Sequence, residues 1–445
     1  MDVQVQRSFI VPTPPSEPSS EVPLTAFDLV APTYHVTVLH AFAPPNPTNA
    51  GLLAALAATL PRFPLLTGRL ERRGFPDRSF FVTGKGGAGA LVVEAAVASP
   101  LSDLLPLAPS PELAQLHAPV GEATPHLLRL QINRFACGGL VIATAAHHQA
   151  ADGHSMSTFF HAWVDAVRAD DGAPPLDRPL PYGPAALAPR RPPRCEFDHR
   201  GAEFLPRDAA DGERSRPAPA PAAVRVDPSE ITNMLLHYTG EFVGELKAAA
   251  QGRYTTFETV SAHLWRKINV ARGRRGDGAA TTKLNVAVNG RARLGGAGAG
   301  VPRGFFGNVV LTATAEASSR DLARGGLADA AALVRAAVRA VDRRYFQSFI
   351  DFVALHGGEE LEPVAGAEDG VLLPDVEADS WMHLELHRLD FGRGGRLVGI
   401  LPAKVPVDGV VVLMPSLQKG GGVDVFVSLW EKHAEELRNI AYSMD

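Results

Sequence analysis

The chain has 445 residues, 46% of them hydrophobic, and this length exceeds the size at which a single hydrophobic core stops growing, so two domains are expected. A formal net charge of −5, with lysine and arginine spread along the chain, leaves no basic footprint for nucleic acid. Two cysteines argue against a disulfide scaffold, and no basic leader or long apolar run is present, so we expect a cytoplasmic protein that contacts no membrane.

The first segments alternate between strand and helix character. Residues 3–10 and 32–42 predict strands, residues 49–60 predict a short helix, and residues 63–73 return to strand character. The sequence GKGGAG at 84–89 fits the GxGxxG pattern, but it joins two strand-like runs where a dinucleotide site needs a helix to follow. We interpret it as a hairpin turn.

The stretch from Leu140 to Gly153, LVIATAAHHQAADG, is the candidate active site. Its apolar residues predict a strand that is buried on both faces and is broken by an Asp-Gly pair. The following residues repeat hydrophobic side chains at helical spacing, with Ser155 or Ser157 as the predicted N-cap. The two histidines therefore lie at a strand end, where an imidazole can accept and return a proton.

Asp152 follows His148 by four positions and has two possible roles. It could hold the imidazole, or it could turn away and pair with a cation that keeps the loop in shape. The residue types also allow a structural alternative, in which both histidines belong to the core and Asp152 serves the turn. The residue pattern alone does not choose among these.

Residues 172–227 are rich in proline and show almost no hydrophobic periodicity. A stretch of this composition and length is typical of a linker rather than of a connection inside one compact unit. We predict a solvated tether that divides the chain into a first domain, 1–171, and a second domain, 228–445. Its arginines could alternatively form a partner site.

The second half again mixes helices and strands. Residues 230–252 predict a helix by composition, 254–272 an amphipathic helix, 283–294 and 304–318 strands, and 320–355 one or two helices. From Asp379 the chain alternates through SWMHLELHRLDFG as a strand would, and two further strands precede a charged C-terminal helix. Because strict βαβ alternation is absent, two α/β sandwiches are favoured over a doubly wound sheet.

Two other enzyme classes are disfavoured by missing motifs. His356-Gly357-Gly358 is similar to a hydrolase oxyanion loop, yet the chain contains no GxSxG elbow. The DFG triplet at 390–392 indicates a kinase only beside a catalytic loop and a strand lysine, and neither is visible in the sequence.

Several motifs carry a family resemblance. His147, His148, Asp152 and Gly153 match the HHxxxDG signature of CoA-dependent acyltransferases. PLTAFDLV, FPLLTGRL, YTTFETVSAHLWR, VNGRARL, GFFGN, DFGRG and VVVLMPSL occur in the order found in the plant BAHD acyltransferases and span nearly the whole chain. The chain resembles that family, and most closely its cereal members that acylate amines.

The resemblance implies two chloramphenicol-acetyltransferase-like α/β sandwich domains joined by a long crossover loop, with a segment near 375–395 returning to the first domain. It also implies that His148 is the general base, deprotonating an acceptor that attacks an acyl-CoA thioester without a covalent acyl-enzyme. Asp152 would pair with Arg291, or less favourably with Arg293, and tie the catalytic loop to the second domain.

Further site residues follow from the same resemblance. We assign His148, Asp152 and Trp381 to the catalytic set, with Asp152 in an architectural role and the Trp381 indole donating to the oxyanion or stacking on the acyl group. The remaining assignments are substrate binding by His35, Asp379, Ser380 and Glu385; CoA binding by Ser261, Arg266 and Lys267; and structural roles for Arg291, Asp390, Gly392 and Gly394. Arg393 stands where the family usually has tryptophan, which puts local packing in doubt.

An acceptor class follows from charge. Along SWMHLELH a period of two places Trp381 and Glu385 on one strand face, where the Glu385 carboxylate could neutralise a cationic amine. We therefore predict transfer of a hydroxycinnamoyl group from its CoA thioester to agmatine, tryptamine, serotonin or putrescine, by a monomer that needs no cofactor and no metal. The alternatives are an alcohol acceptor such as shikimate, with hydroxycinnamoyl or malonyl transfer, and a non-catalytic binding protein of the same fold.

Overall fold

The structure, a computed structural model, describes residues 1–13, 17–74, 77–118, 124–169, 180–205, 226–274, 280–295, 301–302, 304–364, 372–392 and 394–444. Its strands are β1 (Val3–Val11), β2 (Ser20–Pro23), β3 (His35–Phe42), β4 (Arg69–Glu71), β5 (Phe80–Thr83), β6 (Ala90–Val97), β7 (Leu128–Phe135), β8 (Leu140–His147), β9 (Ile231–Tyr238), β10 (Thr281–Asn289), β11 (Val310–Ser318), β12 (Val376–Ser380), β13 (Leu397–Pro402), β14 (Val410–Pro415) and β15 (Val423–Trp430). Its helices are α1 (Ala26–Val30), α2 (Asn49–Thr59), α3 (Gly153–Arg168), α4 (Gly240–Ala249), α5 (Thr256–Ala271), α6 (Arg291–Leu294), α7 (Ser319–Arg324), α8 (Leu327–Ala340), α9 (Arg343–Leu355) and α10 (Glu431–Ile440).

The first half is built on a six-stranded sheet in the order β1-β6-β7-β8-β3-β13. Only the β6-β7 pair is parallel. All eight residues of β8 are buried, as the apolar run predicts for a strand covered on both faces. Helix α3 packs against α2, where the Trp163 indole donates to the Leu52 carbonyl at 2.9 Å.

The second half is built on another six-stranded sheet, in the order β11-β10-β12-β14-β15-β9. Strand β12 lies in its middle and runs parallel to both neighbours. Helix α5 packs against α4, α8 and α10 with residues of nearly every face buried. The predicted amphipathic helix is therefore a core helix of this domain. Among the described residues, none of the helices combines the length and apolar composition that a membrane crossing requires.

After β12 the chain passes from the second core to the first, and Trp381, Leu384 and Phe391 already pack in the first core. Residues 376–380 form β12 of the second sheet, because Val376 and Ala378 are buried in the second core. The chain then crosses through 381–396, and β13 at 397–402 pairs antiparallel with β3 of the first sheet. The segment near 375–395 thus contains the crossing, while the pairing strand follows it.

The described part of the linker, 180–205, is anchored to the second domain by a few buried side chains, while many of its other residues are exposed. Phe204 is fully buried in the second core, and Arg190 donates to Asp351 of α9. The His199 ring lies between Glu203 at 2.9 Å and the Ser348 hydroxyl at 3.1 Å, with all three side chains buried. A free tether is therefore ruled out for this part of the linker, and the anchors were not predicted because proline-rich sequence does not reveal isolated buried residues such as Phe204. Residues 172–179 and 206–225 of the predicted linker lie outside the described residues.

Two local predictions are also wrong. Residues 231–238 form β9 and not a helix, because burial alternates along them and Ile231, Met234 and Leu236 enter the second core. The GKGGAG segment is not a hairpin turn, since β5 belongs to a small sheet in the order β2-β5-β4 and β6 belongs to the first large sheet. No helix follows it, in agreement with the rejection of a dinucleotide site.

Candidate active site

The candidate active site is the turn between β8 and α3. The His148 amide donates to the Tyr34 carbonyl at 3.0 Å, and the Ala151 amide donates to the His148 carbonyl at 3.2 Å. These bonds end the strand at His147 and lead the chain into α3 at Gly153. The two histidines therefore occupy a fixed turn, as the Asp-Gly break predicts.

His147 belongs to the core. Its side chain is buried, its ring meets the His35 ring edge-on at 5.1 Å, and burial, together with His35 and Arg72, lowers its pKa to about 3. Burial lowers the pKa of His35 to about 4, and its ring bonds the His126 carbonyl at 2.9 Å and Arg129 at 3.3 Å. Both rings are neutral near pH 7, and the predicted substrate role of His35 competes with these existing bonds.

His148 is half-buried and differs from its neighbour. Its Nδ1 is buried and has no hydrogen-bond partner among the described residues. The opposite nitrogen, Nε2, is not buried, so it is the nitrogen that a substrate can reach. The geometry is compatible with proton exchange at Nε2.

Asp152 turns away from His148 and pairs with Arg291, the predicted partner. Arg291 Nη1 lies 2.7 Å from Asp152 Oδ2 and Nη2 lies 3.1 Å from Oδ1, with both side chains buried. The carboxylate also accepts from the Ser155 amide at 2.9 Å, so Asp152 itself is the N-cap of α3, and from the Val309 amide at 3.1 Å. Burial opposes ionisation, but Arg291 and the amides outweigh it and lower the pKa of Asp152.

The sequence left the role of Asp152 open, and the structure uses its carboxylate for a cation and two backbone amides. The predicted caps, Ser155 and Ser157, lie within α3; Ser155 instead donates to the Gly307 carbonyl at 2.8 Å, and Ser157 donates to the Leu384 carbonyl. Arg293, the second candidate partner, donates to the Val338 carbonyl at 2.8 Å.

A set of hydrogen bonds from the second half of the chain supports the turn that carries His148, and the sequence did not predict it. Asn308 Nδ2 reaches the carbonyls of His148 at 3.0 Å and Gln149 at 2.8 Å, and it bonds Asp28 Oδ1 at 2.8 Å. Burial raises the pKa of Asp28 to about 6, against the opposing effect of its bonds to Asn308 and Thr25. Asp28 lies in the PLTAFDLV motif and Asn308 lies in the GFFGN motif. These two family motifs are the only sequence features that indicate the two residues.

The segment after β12 is a turn and not the predicted strand. The Trp381 amide donates to the Leu413 carbonyl at 2.8 Å, and the Leu384 amide then donates to the Trp381 carbonyl at 3.1 Å, which closes the turn. Glu385 has a φ of +54°, is exposed and bonds Arg388 at 2.9 Å. Glu385 and Trp381 therefore do not share a strand face.

Asp379 organises the residues at the end of β12. Its Oδ1 accepts from the Ser380 amide at 2.7 Å, and its Oδ2 accepts from the Trp381 indole at 3.0 Å. The Trp381 donor is thus directed at a carboxylate in this structure, and its predicted donation to an oxyanion stays a prediction. Glu377 lies two positions earlier on the same strand face.

Glu385 lines a separate cavity of about 380 Å³ beside α3. Its polar lining includes His154, His161, Asp165 and His383. Among the described residues no group of histidine, cysteine and acidic side chains is arranged to hold a metal ion.

The predicted CoA-binding residues lie on α5, and their bonds go to other parts of the second domain. Arg266 donates to the carbonyls of Leu322 at 3.1 Å and Gly325 at 2.8 Å. Lys267 bonds the Ser443 hydroxyl at 2.7 Å, and Ser261 is buried. None of these contacts joins them to the turn that carries His148.

The DFGRG segment has the geometry of a structural turn. Asp390 accepts from the Gly392 amide at 2.8 Å and from Arg168 at 3.3 Å. Gly392 and Gly394 have φ values of +80° and +87°, which glycine adopts without the penalty that a side chain would bring. Arg393, which departs from the family pattern, lies outside the described residues.

Comparisons with known proteins match this chain over nearly its full length. A family model described as the Transferase family matches residues 1–444. In Oryza sativa subsp. japonica, tryptamine hydroxycinnamoyltransferase 2 is 38% identical, and the alignment covers 95% of this chain and 93% of that protein. Agmatine hydroxycinnamoyltransferase 1 is 36% identical with the same coverage, and putrescine hydroxycinnamoyltransferase is 34% identical over 100% of both chains.

Solved structures with this fold have low sequence identity to the chain. Vinorine synthase superposes with a TM-score of 0.69 at 19% identity, covering 98% of this chain and 96% of its own. TRI101 of F. sporotrichioides, complexed with coenzyme A and T-2, gives a TM-score of 0.72 at 16% identity, covering 95% and 97%. These likenesses show the fold of two α/β domains with mixed sheets.

Proposed function

The chain belongs to the Transferase family, the plant BAHD acyltransferases, and on that premise we propose that it transfers a hydroxycinnamoyl group from a CoA thioester to an amine such as agmatine, tryptamine, serotonin or putrescine. Relatives named for tryptamine, agmatine and putrescine support the amine class. The observation that carries the proposal is the half-buried His148 imidazole on a rigid turn, with Nε2 free of burial.

The reaction uses His148 as a general base and then as a general acid. The acceptor nitrogen forms a bond to the thioester carbonyl carbon while His148 Nε2 takes a proton from that nitrogen. When the tetrahedral intermediate collapses, the carbon–sulfur bond breaks and the imidazolium returns the proton to the CoA thiolate. The products are an amide and free CoA, and no acyl-enzyme forms.

Asp152 acts on this chemistry through position. Its bidentate pair with Arg291 joins the start of α3 to the second domain. Asn308 supports the same turn from the second half. The two contacts fix His148 relative to both domains, which keeps the base within reach of the acceptor.

The finer assignments belong to the same proposal. We take the enzyme to be a cytoplasmic monomer that needs acyl-CoA and a small acceptor alone, with no metal or further cofactor. Both cysteines are free and exposed, a state that a reducing compartment maintains. Size-exclusion chromatography with light scattering tests the monomer, and a fluorescent fusion tests the compartment.

Two alternatives have distinct signatures. An alcohol acceptor such as shikimate is an anion, and the charge of Asp379 beside Trp381 opposes it. A non-catalytic protein of the same fold would keep His148 as a packing residue.

Incubation of the purified protein with p-coumaroyl-CoA and a panel of amines and alcohols separates these functions. We expect release of CoA thiol with amines, together with an equal amount of amide detected by mass spectrometry. Release of CoA thiol with alcohols alone would show that the acceptor is an alcohol and not an amine. No release of CoA thiol with any acceptor would overturn the proposal that the protein is an acyltransferase enzyme.

A further inference from the structure

The His148 ring is not oriented by a carboxylate. In catalytic triads an acid bonds the second ring nitrogen of the histidine and fixes the tautomer and direction of the ring. Here Asp152 is committed to Arg291, and the Nδ1 atom of His148 is buried with no hydrogen-bond partner in the part of the chain that the structure describes. The direction of the ring therefore depends on the position of its backbone.

Both peptide groups of His148 are held by hydrogen bonds. Its amide donates to the Tyr34 carbonyl at 3.0 Å. Its carbonyl accepts from the Ala151 amide at 3.2 Å and from Asn308 Nδ2 at 3.0 Å. The Ala151 bond is internal to the turn, so Tyr34 and Asn308 are the residues that hold these peptide groups from outside.

The Asn308 side-chain amide lies among three oxygen atoms. Its Nδ2 is 3.0 Å from the His148 carbonyl, 2.8 Å from the Gln149 carbonyl and 2.8 Å from Asp28 Oδ1. Two hydrogen atoms thus serve three acceptors, and turning the amide over would bring its own oxygen against all three. Of the three, only Asp28 is a carboxylate, and a bond to an ionised acceptor is the strongest. Asp28 therefore fixes the direction of the Asn308 amide.

The Asp28 carboxylate is itself held in place. It is buried, and its Oδ2 accepts from the Thr25 amide at 2.8 Å and from the Thr25 hydroxyl at 2.7 Å. Burial raises the pKa of Asp28 to about 6, against the effect of its bonds to Asn308 and Thr25. The carboxyl group is therefore mostly ionised above pH 7, where it acts as a charged acceptor.

Helix α1, which carries Asp28, is fixed relative to both the second core and the catalytic turn. Phe27 packs in the second core at 5.2 Å from the Phe349 ring. The Gln149 side chain donates to the backbone carbonyl of Asp28 at 3.0 Å. Asp28 thus stands on a rigid support beside the turn that it reaches through Asn308.

We propose that Asp28 is a positioning residue for the reaction, which holds the Asn308 amide in the direction that places the backbone of His148. This proposal rests on the proposed general-base role of His148 and adds to it. The carboxylate is buried beneath the turn and bonds Thr25 and Asn308, so it acts on the base through Asn308. It replaces, at the backbone, the orienting acid that the ring lacks.

Loss of the Asp28 carboxylate should lower kcat and leave KM nearly unchanged. We expect Asp28→Ala to lower kcat by about 10- to 100-fold, because misplacing a catalytic group by about 1 Å costs about 100-fold in rate. KM for p-coumaroyl-CoA and for the amine should change little, since Asp28 is buried beneath the turn. In the Asn308→Ala background, Asp28→Ala should cost little further in kcat, because its effect passes through Asn308.

Two further comparisons separate positioning from a general loss of structure. Thr25→Val is the matched control, since it removes a donor from the same carboxylate and the N-cap of α1 but leaves the bond to Asn308, and it should leave kcat close to that of the unmodified enzyme. In the His148→Ala background, Asp28→Ala should leave the residual rate unchanged. Asp28→Asn, which keeps an oxygen for Asn308, serves if Asp28→Ala does not fold.

An Asp28 variant with the unmodified kcat, or an equal loss of kcat in Thr25→Val, would overturn the positioning role. Losses that multiply when Asp28→Ala is combined with Asn308→Ala or with His148→Ala would also overturn it. These outcomes leave amine acylation standing. Absence of CoA release by the unmodified enzyme with every amine would instead defeat the proposed function.

Discussion

Two adjacent histidines at the end of β8 have different surroundings, and the difference supports His148 as the proposed base. His147 is buried beside His35, with a pKa of about 3, whereas His148 is half-buried with Nε2 accessible. The signature motif and the VNGRARL motif were enough to predict the Asp152–Arg291 pair, while the role of His148 stays a prediction. The Asp28–Asn308 contact could not be predicted, because its partners are separated by 280 positions and nothing in either motif states the pairing.

Loss of the Asp152 carboxylate should destabilise the fold strongly. Asp152→Ala leaves the Arg291 guanidinium buried without its partner, which costs about 3–5 kcal/mol. Asp321→Ala is the control, because the Arg320–Asp321 pair is exposed and should contribute less than about 1 kcal/mol. Urea unfolding measures the free energy of unfolding of both variants. Equal losses of this free energy in the two variants would contradict the claim that burial strengthens the Asp152–Arg291 pair.

Asp28 should make stability depend on pH. Its pKa in the fold is about 6 against an ordinary 3.8, so the folded state favours the protonated form. Its contribution is complete below pH 3.8 and is lost as the pH rises through 6. Relative to Asp28→Asn, which does not titrate, the unfolding free energy should fall by about 2 kcal/mol between pH 4 and 7. A constant difference across that range would show that Asp28 does not titrate in it.

At the scale of elements, the main errors of sequence reasoning concern where strands end. SWMHLELH alternates as a strand would, but Trp381, Leu384 and Leu386 all enter the first core from a turn. A period of two does not distinguish a strand from such a turn. Likewise, the composition of residues 231–238 favours a helix, and pairing with β15 makes them a strand. The buried strand β8 and helix α5 were predicted because their hydrophobic patterns are long.

Gly290 precedes α6, the helix that carries Arg291, and a larger residue does not fit at this position. A Cβ at Gly290 would lie 2.3 Å from the Phe346 ring, although the backbone there is in the ordinary helical region. Gly290→Ala should therefore cost about 1–3 kcal/mol, and Phe346→Leu should recover part of the loss. Gly244→Ala, in α4 with open space around it, should instead stabilise by about 0.5–1 kcal/mol. Thermal unfolding decides, and a neutral Gly290→Ala would contradict the packing argument.

At the scale of the whole molecule, the two halves exchange aromatic side chains. Phe27 of α1 packs in the second core at 5.2 Å from Phe349, and Phe306 packs in the first core at 5.1 Å from Phe63. The backbone crosses as well, because β13 comes from the second half of the chain and pairs with β3 of the first sheet. Composition and family resemblance were sufficient to predict two α/β domains, but not these exchanges, which arise from tertiary contacts that leave no local pattern.

This exchange predicts that the halves unfold together. Trp163 in the first core and Trp265 in the second are both fully buried. Two variants, each of which keeps one of these tryptophans and has phenylalanine at the other tryptophan positions, report the unfolding of the two halves separately. Their fluorescence midpoints in urea should coincide once any difference in overall stability, measured by circular dichroism, is subtracted. Two well-separated midpoints within one protein, one by fluorescence and one by circular dichroism, would show independent domains.

The most direct test of the central claim is the turnover number of His148→Ala with p-coumaroyl-CoA and the best amine acceptor. Removal of the general base should lower kcat by about 100- to 10,000-fold, while circular dichroism and the unfolding midpoint stay close to those of the unmodified protein. A His148→Ala protein that is folded and releases CoA at the unmodified rate would contradict the assignment of His148 as the base.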